Sequence, residues 1–175
     1  MSRPEGLERL VRQVPDFPVP GVLFRDITPL LADAGALAES VDAMCQPWLD
    51  ARVEIVASME ARGFLFGTAV ATRLKAGFVP VRKAGKLPWS TFGTPYRLEY
   101  GEDVLEMHQD AFTPGARVLL VDDVIATGGT AAAVVALIEQ LGGVVVGAQF
   151  LIEIAGLGGR AHLAGYDLRA VITYT

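Results

Sequence analysis

The segment Val118-Leu119-Leu120-Val121-Asp122-Asp123-Val124-Ile125-Ala126-Thr127-Gly128-Gly129-Thr130 concentrates the residue types most able to do chemistry. An apolar strand pattern ends in two adjacent carboxylates, and a loop of small residues then opens into a helical pattern. Ala126, Gly128 and Gly129 let backbone N–H groups come close to a phosphate, and the N-terminus of the following helix favours negative charge. The Thr127 and Thr130 hydroxyls can add donors. Asp122 and Asp123 cannot bind that anion. They suit vicinal sugar hydroxyls, which donate to carboxylates, and the neighbourhood of a magnesium ion. An acidic surface pair or a glycine helix start alone would be ordinary; joined on one strand–loop–helix they describe a site for a ribose 5-phosphate. No Gly-Lys-Ser/Thr follows, so this is no Walker loop, and the acids precede the glycines, unlike a dinucleotide fingerprint.

Elements of two kinds must hold this loop. Short apolar runs at Val53–Ser58, Phe78–Arg82, Arg117–Val121, Val144–Ile152 and Leu168–Tyr174 read as strands. Helical patterns at Gly63–Lys75 and Gly129–Leu141 separate some of them, which predicts a mostly parallel sheet covered on both faces. Upstream, Ser2 and Glu5 have capping-box spacing, and Leu7, Leu10, Val11 and Val14 form a helical stripe that Pro15 stops. Asp16–Pro29 reads as an ordered, irregular arm. A helix follows Asp33, with Leu37, Val41, Met44 and Trp48 facing the core. Tyr96–Tyr100 and Val104–His108 form a hairpin turning at Gly101-Glu102-Asp103 and projecting from the sheet. With no repeat or linker, residues 1–175 read as one domain. Residues 1–35 are its N-terminal helix and arm, and 83–108 its flexible loop and hairpin.

Bulk properties narrow the class. With 15 Lys and Arg against 20 Asp and Glu, the net charge is −5, and no basic patch supports nucleic-acid binding. No apolar run reaches the roughly 18–20 residues of a membrane span, and the N-terminus lacks a signal-peptide pattern. The single Cys45 cannot form an internal disulfide. The expectation is a soluble cytoplasmic protein. Cys45 and Trp48 read as core, His108 and His162 lack metal-ligand spacing, and Gly156-Leu157-Gly158-Gly159 reads as turn chemistry.

The acidic pair and its loop resemble the ribose-phosphate loop of the type I phosphoribosyltransferases, and the resemblance extends along nearly the whole chain. Pro15-Asp16-Phe17-Pro18-Val19-Pro20-Gly21-Val22-Leu23-Phe24-Arg25-Asp26-Ile27-Thr28-Pro29 is similar to the base-binding arm of the adenine phosphoribosyltransferases. So are Arg62–Gly67, Arg82-Lys83 with Gly85–Pro88, and Leu98–Gly101. The chain departs from the pattern at Ser58-Met59, where a glycine and an aliphatic residue are usual, and at Trp89–Pro95.

The resemblance implies a glycosyltransferase of purine salvage. It would move the phosphoribosyl group of phosphoribosyl pyrophosphate to adenine, giving AMP and pyrophosphate, with Mg2+ held mainly by the substrate. It implies a homodimer. Glu60-Ala61-Arg62-Gly63 would be the pyrophosphate loop, with a non-proline cis peptide near Glu60–Ala61 and Arg62 close to both pyrophosphate and base. Lys83 and Lys86 would clamp the same anion or be simply solvated. Glu99 would act on the imidazole ring of adenine or serve as an edge-strand charge. Leu23, Phe24 and Arg25 would read the base largely through backbone groups, with Phe24 against the base or in the core. Two other functions fit the same fold: a transferase for another base such as xanthine or orotate, and a non-catalytic nucleotide sensor. The arm at Val22–Asp26 disfavours the first, and the lack of a basic helix disfavours the second.

Overall fold

The computed structural model describes residues 6–98 and 101–175, with the side chains of residues 96–98 and 101–102 left aside. Its elements are β1 Arg12–Pro15, β2 Leu23–Asp26, α1 Thr28–Ala32, α2 Ala34–Cys45, β3 Ile55–Met59, α3 Gly63–Leu74, β4 Gly77–Lys83, β5 Thr91–Leu98, β6 Gly101–His108, β7 Arg117–Ile125, α4 Gly129–Gln140, β8 Val144–Ile154 and β9 Leu168–Tyr174. Seven strands form one sheet in the order β5-β6-β4-β3-β7-β8-β9. The five from β4 to β9 run parallel, and the β5–β6 hairpin joins antiparallel at β4.

Alternation along β7 explains why both faces are covered. Val118 and Leu120 pack with α4 residues such as Val134, Leu137 and Ile138. Leu119 and Val121 pack on the other face with Phe66 and Val70 of α3 and Met44 of α2. The expected α/β architecture is therefore present, and its strands are buried on both sides as the unbroken apolar runs require. Asp33 caps α2 by accepting from the Ala36 amide at 2.9 Å, worth about 1 kcal/mol.

Several local expectations are corrected. The stripe from Leu7 to Val14 is not one helix: a 3-10 turn covers Leu7–Leu10, and the chain then extends as β1. The i, i+3, i+4 spacing buries Leu7 and Val11, but the ladder offered by β2 overrides helix formation beyond them. The Ser2–Glu5 pair lies outside the described residues. The arm is accordingly less irregular than its prolines imply, since β1 and β2 pair antiparallel, Arg12 opposite Asp26.

The hairpin is also longer than predicted. Gly101–Asp103 continues the ladder, with Leu98 opposite Gly101 and Tyr96 opposite Asp103, so the strands join through residues 99–100, outside the described residues. Pro95 is tolerated because β5 lies at the sheet edge. Nor does the hairpin simply project: Leu105 and Met107 are fully buried in the α4-side core. The strand before the acidic pair is also longer than its apolar run. Asp122 and Asp123 lie inside β7, whose pairing with β8 continues to Ile125 opposite Glu153.

Candidate active site

Strand order alone makes a crevice. β3 leads through α3 to β4 on one side, while β7 leads through α4 to β8 on the other, with the two helices on opposite faces. The connections diverge above the C-terminal ends of β3 and β7, the switch point where open α/β sheets bind ligands. The pairing of β3 with β7 stops at Ser58 opposite Val121, while β7 runs on beside β8 alone. Asp122–Ile125 therefore borders open space. The resulting cleft has a volume of about 310 Å³ and is lined by Met59–Arg62 and by residues of Asp122–Ala131. That is the size of a small-molecule site.

One wall of the cleft is the loop Ala126–Gly128 running into α4. Gly128 takes a left-handed conformation at φ 82°, which glycine adopts without steric penalty. Gly129 is the first residue of α4, so the free N–H groups of its first turn open beside the cleft.

The two acids face different neighbours. Asp122 Oδ1 accepts from the Asp123 amide at 2.8 Å. A Cβ on Gly63 would lie 2.5 Å from that oxygen and 2.8 Å from Ser58 Oγ, so the glycine makes room for the carboxylate. Burial, and then the charge of Asp123, push the Asp122 pKa well above its ordinary 3.8; the Asp123 amide and Arg62 counter them only in part. Asp123 Oδ2 lies 2.6 Å from Arg62 Nε. The pair is out of line for a hydrogen bond, and among the described residues this buried oxygen accepts none. The contact ties the β7 end to the β3 loop and leaves an acceptor for a further donor.

On the opposite wall the Glu60–Ala61 peptide is cis, as the resemblance implies. Both Glu60 carboxylate oxygens are engaged. Oε2 accepts from Arg82 Nε at 2.8 Å, while Oε1 accepts from Lys86 Nζ at 2.7 Å and the Lys83 amide at 3.1 Å. Burial opposes the charge, but Lys86 and Arg82 outweigh it and hold the pKa down to about 2. Lys83 Nζ pairs with Asp103 Oδ2 at 2.7 Å, linking β4 to the hairpin. Glu60 thus gathers cations around the β3 loop. Arg82, read only as part of a dipeptide, is the largest addition to the expected residues.

This arrangement sets a sign for pH. A carboxylate whose pKa falls from 4.5 to about 2 on folding stabilises the fold above 4.5 and loses that contribution as pH drops through the interval. Thermal unfolding followed from pH 6 to pH 2.5 is expected to show a melting temperature that falls more steeply in the wild type than in Glu60→Gln. Parallel curves would contradict the pairing.

The arm touches Arg62 on the wall of that cleft. The Arg62 guanidinium lies 5.0 Å from the Phe24 ring centroid, and Phe17 meets Phe24 edge-on at 5.1 Å. Arg25 turns away, its guanidinium 3.9 Å over the Tyr174 ring, so its side chain anchors the arm to β9. Only β1 pairs with β2 among the described residues, which leaves one backbone edge at Leu23–Arg25 for a ligand. The structure therefore gathers Asp122–Gly128, Thr130 and Glu60–Arg62 around one cleft, with Phe24 against Arg62 beside it. Glu99 lies outside the described residues.

Several residues set apart earlier are structural. Trp48 is buried and donates to Gln149 Oε1 at 2.8 Å. Cys45 is buried, its thiol pushed up to about 11 chiefly by burial. Ser58 donates to the Val121 carbonyl at 2.7 Å, and a Cβ on Gly67 would lie 2.5 Å from Ser58 Cβ. The departure at position 58 is thus accommodated by glycine on α3.

The family model for the phosphoribosyl transferase domain matches residues 26–168. The chain is 54% identical over 167 residues to an adenine phosphoribosyltransferase of Thermobifida fusca, covering 95% of each. The crystal structure of adenine phosphoribosyltransferase from Thermoanaerobacter pseudethanolicus superposes with a TM-score of 0.95 at 48% identity, covering 97% of this chain and 99% of that one. The Saccharomyces cerevisiae enzyme, solved with adenine and an imino-altritol bisphosphate, superposes with a TM-score of 0.91 at 37% identity, covering 95% and 97%. The fold is that of a phosphoribosyltransferase, an enzyme that takes its sugar from phosphoribosyl pyrophosphate. The chain belongs to the adenine phosphoribosyltransferase family, and its reaction is the transfer of that phosphoribosyl group to adenine, yielding AMP and pyrophosphate. No helix among the described residues is long and apolar enough to cross a membrane.

Proposed function

We propose that this reaction runs in the cleft between the ends of β3 and β7, with the ribose 5-phosphate of both substrate and product on Asp122–Thr130. The observation that carries the assignment is the meeting of the acidic pair, a left-handed glycine and a helix N-terminus on one open strand end. The 5-phosphate takes the amides and hydroxyls of Ala126–Thr130, and the ribose hydroxyls donate to Asp122 and Asp123. Hydroxyl donors suit Asp123 Oδ2, which lacks an aligned partner among the described residues. Pyrophosphate departs along Glu60-Ala61-Arg62, where Arg62, Arg82 and Lys86 bring positive charge. Cations fixed beforehand stabilise the leaving group as the anomeric carbon takes on oxocarbenium character.

Magnesium would arrive on the diphosphate, held mainly by the substrate, as the family resemblance implies. When bound, Mg2+ would neutralise the departing charge, with Asp122 and Asp123 the nearest carboxylates of the cleft. Adenine lies by Phe24 and the free edge of β2 at Leu23–Arg25, where backbone groups read it. Glu99 of the hairpin is our candidate for the proton chemistry of the base. The working form is a cytoplasmic homodimer.

Incubation with phosphoribosyl pyrophosphate, Mg2+ and each base in turn tests the reading. AMP should form from adenine, with pyrophosphate in equal amount, and xanthine and orotate should give no comparable product. Equal turnover of another base would displace it.

A further inference from the structure

The turn after β8 does more than reverse the chain. Residues 155–158 and 160–162 are exposed, but Gly159 between them is buried. Its backbone lies directly against the loop Ala126–Gly128. A Cβ on Gly159 would collide with the Ala126 carbonyl oxygen and would lie 2.9 Å from Ile125 Cγ1 and 3.0 Å from the Gly128 nitrogen. Conversely, a Cβ on Gly128 would meet the Gly159 carbonyl oxygen. The contact is thus backbone on backbone, at the two residues that shape the loop.

What holds Gly159 there is also visible. Arg160 grips Glu153 of β8 in a two-pronged ion pair, Nε to Oε1 at 3.0 Å and Nη2 to Oε2 at 2.6 Å. Its Nη1 donates to the Leu168 carbonyl at the start of β9, at 3.0 Å. Glu153 is buried and stands opposite Ile125 on β7. The fork is therefore anchored one strand away from the loop it backs. Such paired contacts fix direction as well as distance.

We propose that Gly159, held by the Glu153–Arg160 fork, is the support that sets the phosphate-binding loop, with Arg160 a positioning residue for the phosphoribosyl substrate. The proposal rests on the assignment of ribose 5-phosphate to Asp122–Thr130. A Cβ at Gly159 displaces the Ala126 carbonyl and Gly128 amide that it would meet, while Arg160→Lys keeps the charge but loses the fork. Displacements near 1 Å in a binding constellation can cost on the order of a hundredfold.

Ribose 5-phosphate is the probe, titrated calorimetrically against wild type, Gly159→Ala, Arg160→Lys and the control Asp122→Asn/Asp123→Asn. Dissociation constants report on the folded molecules, so a partly unfolded preparation still reads. The expected result is binding weakened about tenfold or more in Gly159→Ala and severalfold in Arg160→Lys, with KM for phosphoribosyl pyrophosphate rising alongside. A merely structural role would lower the melting temperature and leave the dissociation constant unchanged. If the control weakens while both support variants bind within about twofold of wild type, the supporting role is wrong. If the control itself binds like wild type, the assignment of the cleft fails first.

Discussion

Replacing both carboxylates of the β7 end, Asp122→Asn/Asp123→Asn, is expected to cut kcat/KM for phosphoribosyl pyrophosphate by roughly 30- to 1000-fold. That corresponds to about 2–4 kcal/mol of lost transition-state stabilisation. The single variants should separate in a second property. The Asp122 pKa is raised above 3.8 by burial and by Asp123. The stability contributed by its bound proton is present below 3.8 and is lost as pH rises through the higher folded value. Asp122→Asn removes that liability, so at neutral pH its melting temperature should equal or exceed the wild-type value while activity falls. Asp123→Asn leaves Arg62 without the charge 2.6 Å from its Nε and should lower both. Steady-state assays with thermal melts decide it. A double variant within about threefold of wild-type activity would rule out the ribose-binding role.

The choice of base is expected to be nearly as costly to change. A backbone N–H and C=O on the free edge of β2 offer a donor and an acceptor in fixed order. Adenine answers with a ring-nitrogen acceptor and an exocyclic amine. Hypoxanthine inverts the pair, with a carbonyl acceptor and a ring N–H. Two mismatched contacts in a partly buried site cost about 1–3 kcal/mol each. Discrimination in kcat/KM should therefore be on the order of a hundredfold to ten-thousandfold. The Arg25 side chain stacks on Tyr174, so Arg25→Ala loosens the arm without altering the pattern the backbone presents. It should lower activity toward adenine while keeping most of the preference. If Arg25→Ala accepts hypoxanthine nearly as well as adenine, side-chain readout operates instead.

What could be read from sequence divides along physical lines. The parallel strands were legible because burial on both faces demands unbroken apolar runs, and Leu168–Tyr174 has the predicted bounds. The strand–loop–helix form of Val118–Thr130 was legible because its signals are local: an apolar run, small residues and a helix start within a few positions. The stripe Leu7–Val14 misled because its spacing suits a 3-10 turn followed by a strand once β2 supplies a ladder. Gly101-Glu102-Asp103 has turn chemistry, yet cross-strand pairing holds it in β6.

The least legible parts of the site were side-chain and backbone contacts across long separations. Glu60 meeting Arg82 and Lys86 needs the β3–β4 register. Gly159 behind Gly128 needs the β7–β8 register and the Arg160 fork. No spacing rule along the chain announces either. Glycine-rich turns after a strand are too common to mark a support.

The proposed binding of the phosphoribosyl group joins acids and amides on one open strand end. It is tested most directly by a crystal structure of the protein with AMP, Mg2+ and pyrophosphate. The 5-phosphate should lie on the amides of Ala126–Thr130, both ribose hydroxyls on Asp122 and Asp123, and the adenine amine against the backbone of Leu23–Arg25. A phosphate bound elsewhere, or a ribose turned away from Asp122 and Asp123, would contradict it.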